Sequence, residues 1–420
     1  MQDLAGWLLM LFSFSIVLMW KHVRSDTKVV RAIWLCIVLH HAMAFLNAYV
    51  GYDMIVDLPD ADTYHANGVV LAALPELEWK FSVDNKTTAY IHLLGFFYQS
   101  FGASLIFGVE LSILAFILSC VVLVKLVDLL DIRRFRVGII LFFGLLPSAV
   151  FFRSLTLCES WQALFFLSFV YWAIRLKKRP GILAFLSLIM SAFCLAVLHA
   201  ALIYYAIYLI IFIVYWVIYC RKKNVYWVKL VRFLFAGLLV ASIIMLAQKM
   251  GWFVTVGHAL GGVDDFRRAA VTVQSRTTYG VMLDTSSVLG FVKTIPMIFV
   301  QYMFAPFLWR AETAFDFHAM LESMLRFLLL FFAFSSWCRS SGEVRSRYGF
   351  LLIAVLGIEV MWALGTVNWG TAIRHRVPGY GVIVLLGAPR LILFIRKLQF
   401  GIFGRRKVSG ELNEQSLHMS

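Results

Sequence analysis

Seven carboxylates crowd the segment 51–92: Asp53, Asp57, Asp60, Asp62, Glu76, Glu78 and Asp84, against only Lys80 and Lys86. The tightest group, Asp60-Ala61-Asp62-Thr63-Tyr64-His65, follows a proline. Clustered carboxylates raise one another's pKa, so one of them can serve as a general base or help hold a divalent cation. An acidic outer loop also arises from charge asymmetry across a membrane alone. The second candidate lies at 367–376, where Arg374, His375 and Arg376 precede Pro378. An arginine pair can fork onto phosphate or pyrophosphate oxygens, which lysine does less specifically. Headgroup contact, or an ion pair with the acidic loop, is the plainer use of the same residues. The third is the turn from Arg153 to Glu159, with Pro147 upstream; an Arg–Glu pair bridging two helices is its ordinary explanation.

Further basic residues, Arg267, Arg268 and Arg276, stand in a second long loop, partly offset by Asp264 and Asp265. Glu110 and Glu359 fall inside apolar runs, where a charge needs a partner or a cavity. Glu322 and Arg326 are four apart on one helix and are expected to satisfy each other. His40, His41 and His199 read as interhelical hydrogen-bond partners, and the six scattered cysteines as small buried hydrophobes.

The elements that must position these residues are membrane helices. The chain has 420 residues, 62% hydrophobic and 15% charged, with a mean hydropathy of +0.84. That composition excludes a soluble enzyme, a disordered chain and a nucleic-acid-binding domain. Apolar windows predict eleven spans, near 4–20, 31–50, 103–127, 137–152, 159–174, 181–198, 200–219, 230–248, 322–337, 349–366 and 378–395. A further apolar stretch, 288–308, is broken by Pro296 and Pro306 and reads as a re-entrant or interfacial hairpin. The first run carries Asp3 rather than a basic flank and reads as a retained helix, not a signal peptide.

Most of the 38 basic residues fall in alternate loops and the C-terminal tail, which places that side in the cytoplasm. The net charge of +15 is therefore mainly topological. The expected fold is all-α, a polytopic transmembrane helix bundle. One membrane domain, 1–407, has outer loops 51–92, 249–287 and 367–377, and a short cytoplasmic tail, 408–420. The N-terminus is expected outside and the C-terminus inside.

The order of short motifs adds a resemblance. Asp60-Ala61 with Tyr64-His65 comes first, then Phe97-Tyr98 leading to Gly102 and Ser104, then Pro147-Ser148 and Glu159. Late in the chain stand Phe304-Ala305-Pro306 with Trp309, Leu321-Glu322-Ser323, and Gly370 through Arg374-His375-Arg376 to Pro378. Together these resemble the multi-spanning bacterial glycosyltransferases of the GT-C type, and equally the O-antigen-polymerase-like proteins of polysaccharide biosynthesis. The acidic loop follows the second span here, whereas many of these transferases place it after the first.

The resemblance implies a bacterial inner-membrane enzyme that takes sugar from a polyprenyl-phosphate or polyprenyl-pyrophosphate donor to a glycan acceptor on the non-cytoplasmic face. It implies Asp60 or Asp62 as the catalytic carboxylate and Arg374 and Arg376 on the lipid phosphate, and many such enzymes need no metal. Candidate substrate-binding residues are Tyr64, His65, Arg153, Glu159, Arg267, Arg268, Arg276, Arg374, His375 and Arg376. A repeat-unit polymerase and a lipid-linked sugar flippase are the alternatives; the chain has no internal repeat of the kind many transporters carry.

Overall fold

In lipid a backbone must satisfy its own polar groups, and the apolar runs do so as helices. The computed structural model describes residues 3–51, 59–75, 88–219 and 288–417, with Arg267 and short pieces between 277 and 284. Among the described residues there are sixteen α-helices and no strand, only the isolated bridge between Thr278 and Asn368. In chain order they are α1 Leu4–Ile16, α2 Lys21–Arg24, α3 Thr27–Phe45, α4 Pro59–Ala72, α5 Thr88–Phe101, α6 Leu105–Leu129, α7 Arg136–Gly144 and α8 Pro147–Arg153. Then follow α9 Glu159–Lys178, α10 Ile182–Val197, α11 Ala200–Tyr219, α12 Val288–Phe304, α13 Ala314–Arg339, α14 Gly342–Gly365, α15 Trp369–His375 and α16 Val377–Leu417.

Five stretches among the described residues are long and apolar enough to cross a bilayer: Thr27–Val50, Leu105–Leu129, Ala314–Arg339, Gly342–Gly365 and Val377–Gln399. A sixth forms if the pair around α7 and α8, bent by 66° ahead of Pro147, counts as one span. Four shorter apolar helices lie within Leu4–Met19, Ile182–Val197, Ala201–Ile213 and Val292–Phe304. The chain is a helical membrane protein. The expected span at 230–248 lies outside the described residues.

Two expectations change form. The stretch 288–308 is not itself a hairpin: α12 is a single helix with Pro296 inside it, about 25 Å long at 1.5 Å per residue. A proline there costs one backbone hydrogen bond, which neighbouring helices tolerate. Tyr279 lies beside the Arg376 guanidinium, which also donates to carbonyls at the end of α12. In addition, α16 runs as helix through Leu417, into the stretch expected as a short tail.

Among the described residues, the loops expected on one side near 21–31, 125–136, 175–179 and 339–347 gather at one end of the bundle. Arg136 pairs with Asp128 and lies 3.8 Å from Asp26, which caps α3. Lys178 donates to the Leu129 carbonyl at 2.7 Å, and Lys177 reaches Ser346 at 3.0 Å. At the opposite end a second, smaller core joins α4, α5, α6, α8, α13 and α15 through Ala61, Tyr64, Tyr90, Leu111, Phe152, Ala319 and Ile373.

Close helix approach needs small residues where side chains would otherwise intervene. Gly387 on α16 faces the backbone of Leu329 on α13, and a methyl group there would overlap the Leu329 carbonyl. Gly387→Ala is therefore expected to destabilise the protein by about 1–3 kcal/mol. The check is a lowered thermal unfolding midpoint in detergent.

Candidate functional site

The site is built on α4, whose start is set by Pro59 at the first helical position and by Asp60 and Asp62 in its first turn. At helical spacing Ala61, Tyr64, His65 and Gly68 share one face. Tyr64 stands edge-on to Tyr90, with ring centroids 5.5 Å apart. His65 Nδ1 hydrogen-bonds the Tyr98 hydroxyl at 2.8 Å, and burial lowers its pKa, outweighing the opposing field of Asp62. Gly68 lets the α5 side chains of Leu94 and Tyr98 approach. Gly102 ends α5 with a φ of 94°, and Ser104 caps α6 by accepting from Phe107 N. The Tyr98–Gly102–Ser104 motif is thus a helix stop and start that aims Tyr98 at α4.

The late element α15 is anchored from three sides. Asn368 caps it through Thr371 N at 2.8 Å. Trp369, fully buried, donates Nε1 to Asp316 at 3.1 Å, and Asp316 belongs to the capping box that starts α13. Backbone bonds Tyr279 N to Val367 O and Trp369 N to Thr277 O hold the other edge.

This frame brings Asp60, Glu159 and Arg374 together. Arg374 Nη1 donates to Asp60 Oδ2 at 2.6 Å, and Nε lies 2.9 Å from Glu159 Oε1. Half of the Asp60 side chain is exposed, against 12% for Arg374 and 4% for Glu159. Asp60 therefore forms the open side of a guanidinium whose other partner is buried. Burial works against the charge on Arg374, but the carboxylates of Glu159 and Asp60 outweigh it and raise its pKa.

Behind the arginine, Thr366 donates its hydroxyl to the Trp362 carbonyl at 2.7 Å. It must therefore accept from His375 Nδ1 at 2.9 Å. That bond fixes the proton on Nδ1 and leaves Nε2 facing Arg374 Nη2 at 3.4 Å. Burial, then the Arg374 charge, pushes the His375 pKa well down, and the ring stacks on Trp362 at 4.3 Å.

The neutral imidazole has a consequence for stability. In the unfolded chain it takes a proton near its ordinary pKa of about 6.5, while the folded form resists it. Its contribution is complete above that pH and is lost as pH falls toward the depressed folded value. His375→Gln is expected to flatten the loss of thermal stability between about pH 7 and pH 5, measured in detergent. His65 leaves a smaller slope of the same sign.

The other candidates separate. Asp62 is exposed. Arg153 is buried over the Phe143 ring at 4.1 Å and donates to the Phe143 carbonyl at 2.8 Å; it does not pair with Glu159. Arg267 donates to the carbonyls of Ala363, Leu364 and Thr366 and to that of Val281, closing the C-terminal end of α14. Arg376, also buried, donates to the carbonyls of Tyr302 and Ala305 and to Ser323 Oγ. Of the late arginine pair, only Arg374 therefore reaches the acidic segment. Arg268, Arg276, Asp53, Asp57, Glu76, Glu78 and Asp84 lie outside the described residues.

The expected Glu322–Arg326 pair does not form. Glu322 accepts from Ser148 N at 2.8 Å and from the Ser148 hydroxyl, and lies 3.0 Å from His318. It caps α8, where free backbone N–H groups favour an anion more than a neighbouring cation does. His41 bridges α1 and α6 by bonding Ser13 and Glu110 at 3.0 and 2.9 Å, an interhelical partner as its sequence position indicated. Among the described residues, no group of three or more His, Cys, Asp or Glu is gathered for a metal.

Sequence reasoning missed Asp316, Trp369, Thr366 and Trp362. The signal for the first lay in Thr313-Ala-Phe-Asp316, a capping-box spacing with Asp at its last position.

No family model matches this chain, and neither does a curated protein or a solved structure.

Proposed function

We propose that the protein is a membrane glycosyltransferase of cell-surface polysaccharide biosynthesis, with about eleven spans and a GT-C-like bundle in the bacterial inner membrane. It takes sugar from a polyprenyl-phosphate or polyprenyl-pyrophosphate donor on the non-cytoplasmic face. The observation that supports this reading is the contact of Asp60 with Arg374, 314 residues apart in sequence, over the buried Glu159. It sits at the end of the bundle opposite the basic loops.

A half-exposed carboxylate held by a guanidinium is a general base with its phosphate-binding partner already beside it. On donor entry a phosphate oxygen replaces Asp60 on Arg374, in the forked geometry arginine favours. The freed Asp60 takes the proton of the acceptor hydroxyl as that oxygen bonds the anomeric carbon. The anomeric carbon–oxygen bond to phosphate breaks, and Arg374 stabilises the charge left on the lipid phosphate. Glu159 stays behind the arginine and fixes its plane. His375 keeps its bare Nε2 toward Nη2 and adds no competing charge.

The test uses purified protein in detergent with a polyprenyl-linked sugar donor and a glycan acceptor. Transfer of sugar with no second compartment present is the expected result. No transfer, with the donor instead moved across vesicles, would replace this reading with a flippase. Product length separates the two enzyme readings: a polymerase joins whole repeats, whereas a transferase adds one sugar.

A further inference from the structure

At the basic end of the bundle, far from Asp60, a cavity of about 980 Å³ opens between α7, α13 and α16. That lies at the top of the range of about 300–1,000 Å³ typical of small-molecule sites. Its wall is apolar and includes Leu328, Phe331 and Phe394, which are 42%, 58% and 48% exposed and so form an open face of the bundle. Four basic side chains, Arg134, Arg339, Arg390 and Lys397, line the same cavity, and among the described residues no carboxylate does. Among the described residues none of the four is in an ion pair with Asp or Glu. Among the described residues Arg390 donates to Ser335 Oγ, at 3.3 Å.

Several other basic residues at this end are paired: Arg136 with Asp128, Lys178 with Asp131 and Arg347 with Glu343. What sets the four groove residues apart is that their charge, without a carboxylate partner among the described residues, converges on one apolar slot. A soluble anion has no use for the slot, and a neutral lipid has no use for the charge. Basic pockets between membrane helices beside the headgroup region suit anionic lipid headgroups.

We propose that this groove is a binding site for an anionic diacyl phospholipid of the leaflet at the basic end. Its phosphate sits on Arg339 and Arg390, with Arg134 and Lys397 around it, and its acyl chains lie along Phe331 and Phe394. The full-length protein, reconstituted in vesicles of phosphatidylcholine with a minor share of phosphatidylglycerol, is extracted and its retained lipids are counted by native mass spectrometry. Phosphatidylglycerol is expected to be enriched over phosphatidylcholine. The R339Q/R390Q variant should lower that enrichment on the order of tenfold. Phe331→Ala, which trims the exposed apolar wall without placing a charge against the bilayer, should lower it as well. K21Q/R24Q, exposed basic residues at the same end but outside the groove, should leave it unchanged. The site is overturned if wild-type protein retains both lipids alike. It is also overturned if K21Q/R24Q loses as much enrichment as R339Q/R390Q, or if both groove variants keep the wild-type ratio.

Discussion

Replacing Arg374 with glutamine is expected to destabilise the protein by about 3–5 kcal/mol, the cost of removing one partner from a buried ion pair. Glu159 is almost completely buried, its Oε2 already lacks a hydrogen-bond partner, and Arg374 is the only cation within ion-pair distance of it among the described residues. The exposed partner adds little, since half of Asp60 stays solvated. Two controls make the result specific. Glu159→Gln leaves Arg374 paired with Asp60 and should cost less. The double variant R374Q/E159Q should recover much of the loss, because no uncompensated buried charge remains. Arg374→Lys should fall between, keeping the charge but not the fork that spans two carboxylates. The readout is the thermal midpoint in detergent across wild type and the four variants. Additive losses in the double variant would mean that the two groups are not coupled.

The helices were legible because bilayer physics writes them as long apolar runs, and most described spans lie within a few residues of their expected places. Their ends were less so: α13 begins at Ala314, not near 322, because a capping box extends it into polar sequence. The helix α4 was hidden, since its composition is that of a loop and only its first turn, Pro59 to Asp62, carries helix-start signals. The site was half legible. Charge pattern and motif order picked out Asp60, Glu159 and Arg374, but gave Arg153, Arg267 and Arg376 similar weight. What separates them is the group each guanidinium meets. Arg153 meets aromatic faces, Arg267 and Arg376 meet the carbonyls of helix ends, and Arg374 meets carboxylates. Contacts across hundreds of residues leave no local trace. The Glu322–Arg326 expectation failed for the same reason, because the i, i+4 rule describes an isolated helix whereas Glu322 faces the start of α8.

Asp60→Asn is expected to lower sugar transfer by about 10²–10⁴-fold, the usual worth of a positioned general base, while folding is nearly unaffected. The stability half of that statement follows from exposure. The substituted side chain still offers Arg374 an amide oxygen, and an ion pair half open to water contributes no more than about 1 kcal/mol. The activity half follows from chemistry, since an amide cannot take the acceptor proton. Asp62→Asn should keep transfer within a few-fold of wild type, because Asp62 is exposed and makes no ion pair among the described residues. Asp60→Glu, with the same group one methylene longer, should retain part of the rate. Turnover per folded molecule, scored with a polyprenyl-linked donor and checked against the thermal midpoint, keeps the chemical effect apart from any structural one. Loss of transfer in Asp62→Asn with full activity in Asp60→Asn would move the base to the exposed carboxylate. Full activity in both would remove the acidic helix from the mechanism, and the contacts of Arg374 with Asp60 and Glu159 would then be a strut rather than a phosphate-binding site.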